Sequence, residues 1–539
     1  MKKFWVILAI VLLSIVCSII YVYPKIGYSP VLTSWGVRSG WTQHNIIHNG
    51  VLPQNVHSMT WQSALANVGT TDVLSKVLPA MVNIITGTTS SPESELFQQI
   101  FPWVGIIFLP LIVLYFYRYI SKKEGKFNGN GVDYILLYLF CVFPLEQQTF
   151  SMSFSLGAAN SIARASMVLI FVLFITLFSD RSKSRNKFLI IVFLFIAFFE
   201  YYHTFSYYLV IFLVILFLAS RKINERHMAN LSICGIIIFF VTALFYNTNL
   251  LQEPTRLIGS FSQIISNFPS VTHSMQVNPN LLNYVSLGSS YSYVQYIASS
   301  LIAIICIIFF WRYITQKRIT APKLYEKILF YLLIAEIFIG CGLFVVNGIF
   351  TVYQRIFETL TYLSLLLTAF LLVKSQHRLK TVLRIIILAT TILCIISFLI
   401  DPTQNQQITN KEFTGISFAG VHIPKTSYIF SDFKIGPTLV YFGQQGIVTI
   451  NTASDPPNVT NEILERCYYN VSNPQVILDQ IIDSKDYYVV ISSGTIQDPS
   501  LQVFKPPSAD FEEKWSEQNS FNIIYSSGGF DVYQRVAQP

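Results

Sequence analysis

The sequence predicts a polytopic all-α membrane domain of about eleven transmembrane helices over residues 1–400, followed by an extracytoplasmic α/β domain over 401–539. Composition carries the membrane half. A chain of 539 residues that is 53% hydrophobic and only 12% charged, with a mean hydropathy of +0.51, is no soluble protein, in which about a quarter of residues carry charge. The recurrence of apolar runs gives the architecture, and the placing of Lys and Arg between them gives the topology. The net charge of +8 does not indicate nucleic acid, because residues 1–400 hold 28 Lys and Arg against 13 Asp and Glu, whereas the tail holds 8 against 15. The basic excess belongs to the loops between apolar runs. Six cysteines (Cys17, Cys141, Cys234, Cys306, Cys341 and Cys394) lie in apolar runs, leaving Cys467 alone in the tail, so no disulfide framework holds that tail together.

Eleven apolar runs of roughly 15 to 24 residues, long enough to cross about 30 Å of hydrocarbon with some tilt, occur in the first 400 residues. They lie near 4–23, 103–118, 133–148, 164–179, 187–200, 204–220, 229–246, 293–312, 327–349, 355–374 and 381–400. The first follows Lys2 and Lys3 but continues through Ile20 and Val22 without a small-residue cleavage site, so it reads as a retained anchor. Lys and Arg in short loops mark the cytoplasmic side. An inside N-terminus assigns to the cytoplasm 22 of the 36 basic residues, in the segments Arg118 to Lys126, Arg181 to Lys187, Arg221 to Arg226, Arg312 to Lys327 and Lys374 to Arg384 besides Lys2 and Lys3. The outer loops and outer helix ends keep only Lys25, Arg38, Lys76, Arg164, Arg256 and Arg355; the remaining eight sit in the tail, which eleven crossings place on the outer face and which is large enough to be exempt from the rule. The expected location is a plasma membrane.

Two outer segments, 24–102 and 247–292, are longer than connectors require. In the first, Trp41 to Gly50 has apolar and aromatic positions at helical spacing, as a helix lying on the membrane surface would. Asp72 to Ile85 forms a second helix, closed by a Thr-Gly turn. After the polar linker Asp401 to Thr414, the tail changes periodicity. Tyr428 to Phe430, Ile447 to Ile450, Tyr487 to Ser492, Asn522 to Tyr525 and Phe530 to Tyr533 are short, β-branched and aromatic, as strands are. Helical patterns at 436–444, 461–469, 474–484 and 510–518 alternate with them.

Four features carry a family resemblance. The first outer loop bears His44-Asn-Ile-Ile-His48-Asn-Gly-Val-Leu-Pro53, and Val77 to Gly87 is an apolar helix ending in Thr-Gly. Tyr202-His203-Thr-Phe joins two apolar runs, and Tyr525 to Arg535 reads as a terminal hairpin. In this order they make the chain similar to the GT-C superfamily of membrane glycosyltransferases, particularly archaeal and bacterial relatives of protein mannosyltransferases and oligosaccharyltransferases. The resemblance implies transfer of a sugar or glycan from a polyprenyl phosphate carrier, held in lipid, to a protein or glycan acceptor on the outer face. Such chemistry needs a carboxylate to take the acceptor proton and cations to stabilise the leaving phosphate. The family usually places an acid early in the first outer loop, but here none precedes Asp72, and Ser34, Arg38 and Ser39 stand upstream of Trp41. A non-catalytic scaffold of the same architecture in cell-surface glycan assembly is the alternative. A lipid-linked glycan transporter ranks last, since the sequence lacks the inverted repeats such proteins carry.

Asp72 and Glu200 are therefore the candidate bases. Asp72 also reads as an acid capping the helix that follows it. Glu200 lies beside His203, where a carboxylate tunes a histidine, although both are also suited to the water interface. His44 and His203 are candidate contacts to the donor, and Arg164 and Arg355 candidate phosphate clamps. An ion pair between Arg355 and Glu358 is the plainer reading of that spacing. His44 and His48 share a helix face, geometrically fit for a divalent metal with His57, but no local carboxylate completes the set, so no metal ligand is assigned. Glu336, deep in the ninth run, should face a partner or a cavity. In the tail, Asn458 and Asn470 open short glycosylation-acceptor patterns, and nothing there suggests catalysis.

Overall fold

A computed structural model describes residues 2–22, 46–48, 73–87, 108–125, 130–147, 158–179, 184–201, 203–223, 225–245, 289–317 and 321–399 of the apolar part. In the tail it describes 410–431, 446–448, 487–492, 521–527 and 530–535, together with 435, 436, 439, 442, 478 and 479. The helices are α1 (Lys2–Val22), α2 (Val73–Thr86), α3 (Leu109–Lys123), α4 (Gly131–Gln147), α5 (Ala158–Ser179), α6 (Ser184–Tyr201), α7 (His203–Lys222), α8 (Arg226–Phe245), α9 (Ser289–Lys317), α10 (Leu324–Lys374) and α11 (His377–Leu399). Each apolar run read from the sequence coincides with or overlaps one of these helices. Among the described residues, Arg226–Leu244, Ile297–Lys317 and His377–Ile396 are long and apolar enough to cross a membrane. Ile7–Cys17, Gly131–Val142, Ala165–Ser179, Phe188–Phe199 and Leu360–Lys374 are shorter apolar stretches.

Helix α10 contains two of the expected spans, and its ends explain how. Its 51 residues would reach about 75 Å if straight. Yet Lys374 Nζ, at its last residue, lies 3.0 Å from Glu326 Oε1 in its first turn. The helix must therefore double back, giving two antiparallel arms that correspond to the runs 327–349 and 355–374. The second arm is central. From Tyr362 to Val373 it is buried on every side, with Ser364 and Thr368 as its polar interruptions, as befits a helix surrounded by others. Helix α10 as a whole packs against α3, α4, α5, α7, α9 and α11.

Aromatic rings fill the spaces between helices: Phe171 of α5 meets Phe212 of α7 edge-on at 4.9 Å, and Phe199 of α6 meets Phe239 of α8 at 5.3 Å. On α8, Gly235 lets Phe195 and Leu213 close in, since a Cβ there would lie 2.7 Å from each. The outward faces are also apolar. Ile7, Val11 and Ile15 of α1, Ile237 and Leu244 of α8, and Ile385 and Ile392 of α11 are exposed, which suits lipid and not water. Helix α2 ends at Gly87, whose φ of +67° is the left-handed conformation glycine adopts without strain.

The tail forms a mixed sheet of β1 (Tyr428–Phe430), β2 (Gly446–Val448), β3 (Tyr487–Ser492), β4 (Phe521–Ser526) and β5 (Phe530–Arg535), in the order β2-β1-β3-β5-β4. Strand β1 is parallel to β2 and β3, whereas β5 runs antiparallel to β3 and β4. All six residues of β3 are buried, as a strand covered on both faces requires. Helix α12 (Asn410–His422) packs on β5 and contributes Phe413, Ile416 and Ala419 to a core shared with Ile429, Val490 and Val532. It begins inside the segment expected to be a linker, so 410–414 is helical and not connecting chain. The five strands fall where the sequence predicts them. The helical patterns 461–469 and 510–518 lie outside the described residues, as does Trp41 to Gly50 except for 46–48.

Gly415 makes the contact between α12 and β5 close. A Cβ on it would collide with the ring of Phe530, whose side chain is fully buried. Replacing Gly by Ala inside a helix ordinarily gains about 1 kcal/mol, but overpacking costs about 1 to 3 kcal/mol. Gly415→Ala should therefore destabilise the tail, seen as faster limited proteolysis between residues 410 and 539 of the full chain.

Candidate functional site

Ion pairs and hydrogen bonds gather many of the helix ends at one end of the bundle. Glu124 follows α3 and meets Lys323 Nζ at 2.7 Å and Lys374 Nζ at 3.0 Å, and it also accepts from the Tyr325 hydroxyl. Arg312, near the end of α9, donates to Lys374 O at 2.7 Å and to Ser375 Oγ at 3.2 Å. Asp133, where α4 begins, binds Arg384 at 2.8 Å and Lys380 at 2.6 Å in the first turns of α11. Lys123 reaches Ser179 O, at the end of α5, at 3.4 Å. This is the basic end, the one the sequence assigns to the cytoplasm. Burial raises the Glu124 pKa, but hydrogen bonds from Lys323, Tyr325 and Lys374 outweigh it and hold the carboxyl down at about 2. Phe309, Arg312, Tyr313, Gln316, Pro322, Glu326 and Phe370 surround a cavity of about 10 Å³ here, room for about one water.

The candidate residues lie away from this end. Arg164 is 15 residues before Ser179 and Glu200 is 16 after Ser184, about 22 and 24 Å along their helices. Arg355 is 19 residues before Lys374, about 28 Å up the second arm of α10. His203 opens α7, two positions after α6 ends. All four helix positions thus fall at the end opposite the basic cluster. Their helices touch, α5 against α6 and α10, and α7 against α10. Helix α2 lies across α5 and α6, turning Ala80 and Asn83 inward and leaving Met81, Ile84 and Ile85 exposed. That exposed apolar side fits the expectation of a helix on the membrane surface. Asp72, one residue before α2, and His44 lie outside the described residues. His48 is an exposed helical position. Among the described residues no group of three or more His, Cys, Asp or Glu is arranged to hold a metal ion. Glu336 is buried within the first arm of α10, in keeping with an intramembrane acid that faces the protein interior.

Sequence reasoning passed over Asn83, a fully buried amide on the inward face of α2. Its signal was present, since Asn83 stands one turn from Ala80 and opposite the apolar Met81, Ile84 and Ile85. Glu124 and Asp133 were missed for another reason: their partners lie 199 and 251 residues away in the chain.

No family model and no curated protein matches this chain. Solved structures do. The chain aligns over its full length with 99% of ArnT from Cupriavidus metallidurans bound to undecaprenyl phosphate, at a TM-score of 0.51 and 10% identity. It aligns over 98% of its length with 74% of the archaeal oligosaccharyltransferase AglB from Archaeoglobus fulgidus, in complex with an inhibitory peptide and a dolichol-phosphate, at 0.58 and 10%. The apo form of the Archaeoglobus oligosaccharyltransferase matches at 0.55 and 12%. These are GT-C enzymes, and the likeness extends across the helices and the C-terminal domain together. The chain has the GT-C fold.

Glu124 provides a test of the basic end. Glu124→Gln removes the charge that Lys323 and Lys374 share, leaving Lys374 with Glu326 alone, and should lower stability by about 1 to 3 kcal/mol at neutral pH. Because the folded pKa is depressed, wild-type Glu124 contributes fully above the ordinary carboxylate value of 4.5 and loses its contribution as pH falls from there through about 2. Thermal unfolding curves of the two proteins in detergent should differ at pH 7 and draw together towards pH 2.

Proposed function

We propose that this protein transfers a sugar or glycan from a polyprenyl phosphate to a protein or glycan acceptor on the outer face of a prokaryotic plasma membrane. The observation that carries the reading is the GT-C fold over the whole chain, with Arg164, Glu200, His203 and Arg355 on helices that reach the same end of the bundle. The solved relatives hold undecaprenyl phosphate and dolichol phosphate, which supports a lipid-linked carrier as donor. In this reading the apolar runs make eleven crossings, the basic end is cytoplasmic, residues 1–400 form the membrane domain and 401–539 an outer domain that engages the acceptor. The acceptor's hydroxyl or amide attacks the anomeric carbon while Asp72 or Glu200 takes its proton. The bond from the sugar to the phosphate oxygen breaks, and Arg164 and Arg355 neutralise the phosphate that leaves. His44 and His203 hold polar groups of the donor. A divalent metal is not assigned, and its addition is one arm of the test.

One observation favours a second reading. No acid precedes Asp72, so a scaffold that binds the lipid carrier without turning it over is consistent with the same fold. The two are separated by incubating purified protein with labelled polyprenyl-phosphate sugars and acceptors, with and without divalent metal. Transfer that falls by about 100-fold or more in Asp72→Asn or Glu200→Gln identifies the base. Arg355→Gln should cost at least about 10-fold through the leaving phosphate. Carrier binding that persists in wild type and both carboxylate variants, without transfer in any, selects the scaffold.

A further inference from the structure

The ion cluster around Asp133 carries more positive charge than it balances. Asp133 is fully buried. One of its oxygens accepts from Arg384 Nε and pairs with Arg384 Nη2, both at 2.8 Å, while the other meets Lys380 Nζ at 2.6 Å and accepts from the Tyr117 hydroxyl at 2.9 Å. A carboxylate offers about four acceptor positions, so these donors saturate it. Lys380 and Arg384 keep N–H groups to spare, and no second acid among the described residues pairs with either. Their side chains are 24% and 26% exposed. Two cations are thus held in place by one anion, with their outward edges open.

What lies beside them narrows the occupant. Below Lys380, α11 presents Val382, Ile385, Leu388, Ile392 and Ile396 outward, an exposed apolar stripe at helical spacing that starts at the level of the two cations. A soluble anion would meet the cations and leave the stripe bare. A lipid of zwitterionic head group brings its own ammonium and needs no surplus charge. An acidic phospholipid meets both features, since its phosphate lies at the depth of the basic loops and its chains run along the helix. We propose that Lys380 and Arg384, preset by Asp133 between α4 and α11, form a binding site for the head group of an anionic phospholipid in the leaflet at the basic end. The site lies at the opposite end of the bundle from the proposed transfer site, and the inference does not depend on that reading.

The test uses the full-length protein in nanodiscs of phosphatidylcholine, with and without phosphatidylglycerol, and reads the difference in Tm between the two bilayers. Phosphatidylglycerol should raise the wild-type Tm by roughly 2 °C or more. Lys380→Gln, which leaves Asp133 paired with Arg384, should lose that increment. Lys122→Gln, which removes an exposed charge at the same end of α3, should keep it. Asp133→Asn should lower the Tm in phosphatidylcholine and diminish the increment, because the two cations lose the anion that presets them. The proposal is overturned if the wild type shows no increment or if Lys380→Gln retains it. Equal loss in Lys122→Gln, which would mean diffuse surface attraction, overturns it as well. So does an increment that inorganic phosphate reproduces in phosphatidylcholine discs, which would make the site one for a soluble anion.

Discussion

One carboxylate, Glu124, determines where the longest helix can go. It bonds to Lys323 and Tyr325 before and within the first turn of α10 and to Lys374 at its last residue. A helix whose two ends share a partner cannot be straight, so this contact requires the reversal that carries Arg355 to the far end. Desolvating one anion among two cations is costly in isolation, and it becomes favourable only because each partner is itself placed by others. Lys374 also meets Glu326, and Glu326 accepts from the Lys323 backbone N–H at 3.0 Å. Arg312 then closes the network through Lys374 O and Ser375. Asp133 repeats the device one helix pair away, joining α4 to α11.

Much of the bundle was legible in the sequence because lipid simplifies the code. A segment that crosses hydrocarbon must satisfy its own backbone and present apolar side chains, so its helix announces itself as an uninterrupted run. The strands of the tail were legible for the opposite reason. Tyr487 to Ser492 is β-branched and aromatic because both of its faces are covered, and no helical period competes with that pattern. Helix α12 was not legible. Its sequence, NKEFTGISFAGVH, has two glycines and scattered β-branched residues, so its intrinsic propensity is poor. It is held in place by the surface it packs on: Gly415 admits Phe530, and Gly420 admits Phe442. Local sequence cannot show a fit whose other half lies 22 residues away, as Phe442 does from Gly420, or 115, as Phe530 does from Gly415.

The candidate site was legible in kind but not in arrangement. An arginine or glutamate at an apolar helix end attracts notice because of its solvation cost, and that singled out Arg164, Glu200 and Arg355. Whether such residues lie at the same end depends on helix direction, which the basic-end contacts supply through distant partners. The two kinds of charge therefore have different roles. The acids at the basic end are consumed in holding helices together, as Glu124 and Asp133 show. The candidates lie toward the other end, Arg164 on α5 and Glu200 on α6, the two helices that α2 contacts.

This division explains how a fold can match ArnT and AglB at 10% identity while the early acid expected of such enzymes is missing. Packing of apolar helices tolerates many substitutions of similar volume, so the bundle persists through wide sequence change. A proton acceptor has no such latitude, since it must reach one atom of the acceptor with a suitable pKa. Fold likeness thus speaks for the backbone and leaves the presence and place of a base to chemistry. Position then does the selecting: Asp72 precedes a helix lying across α5 and α6, and Glu200 is carried by α6 itself.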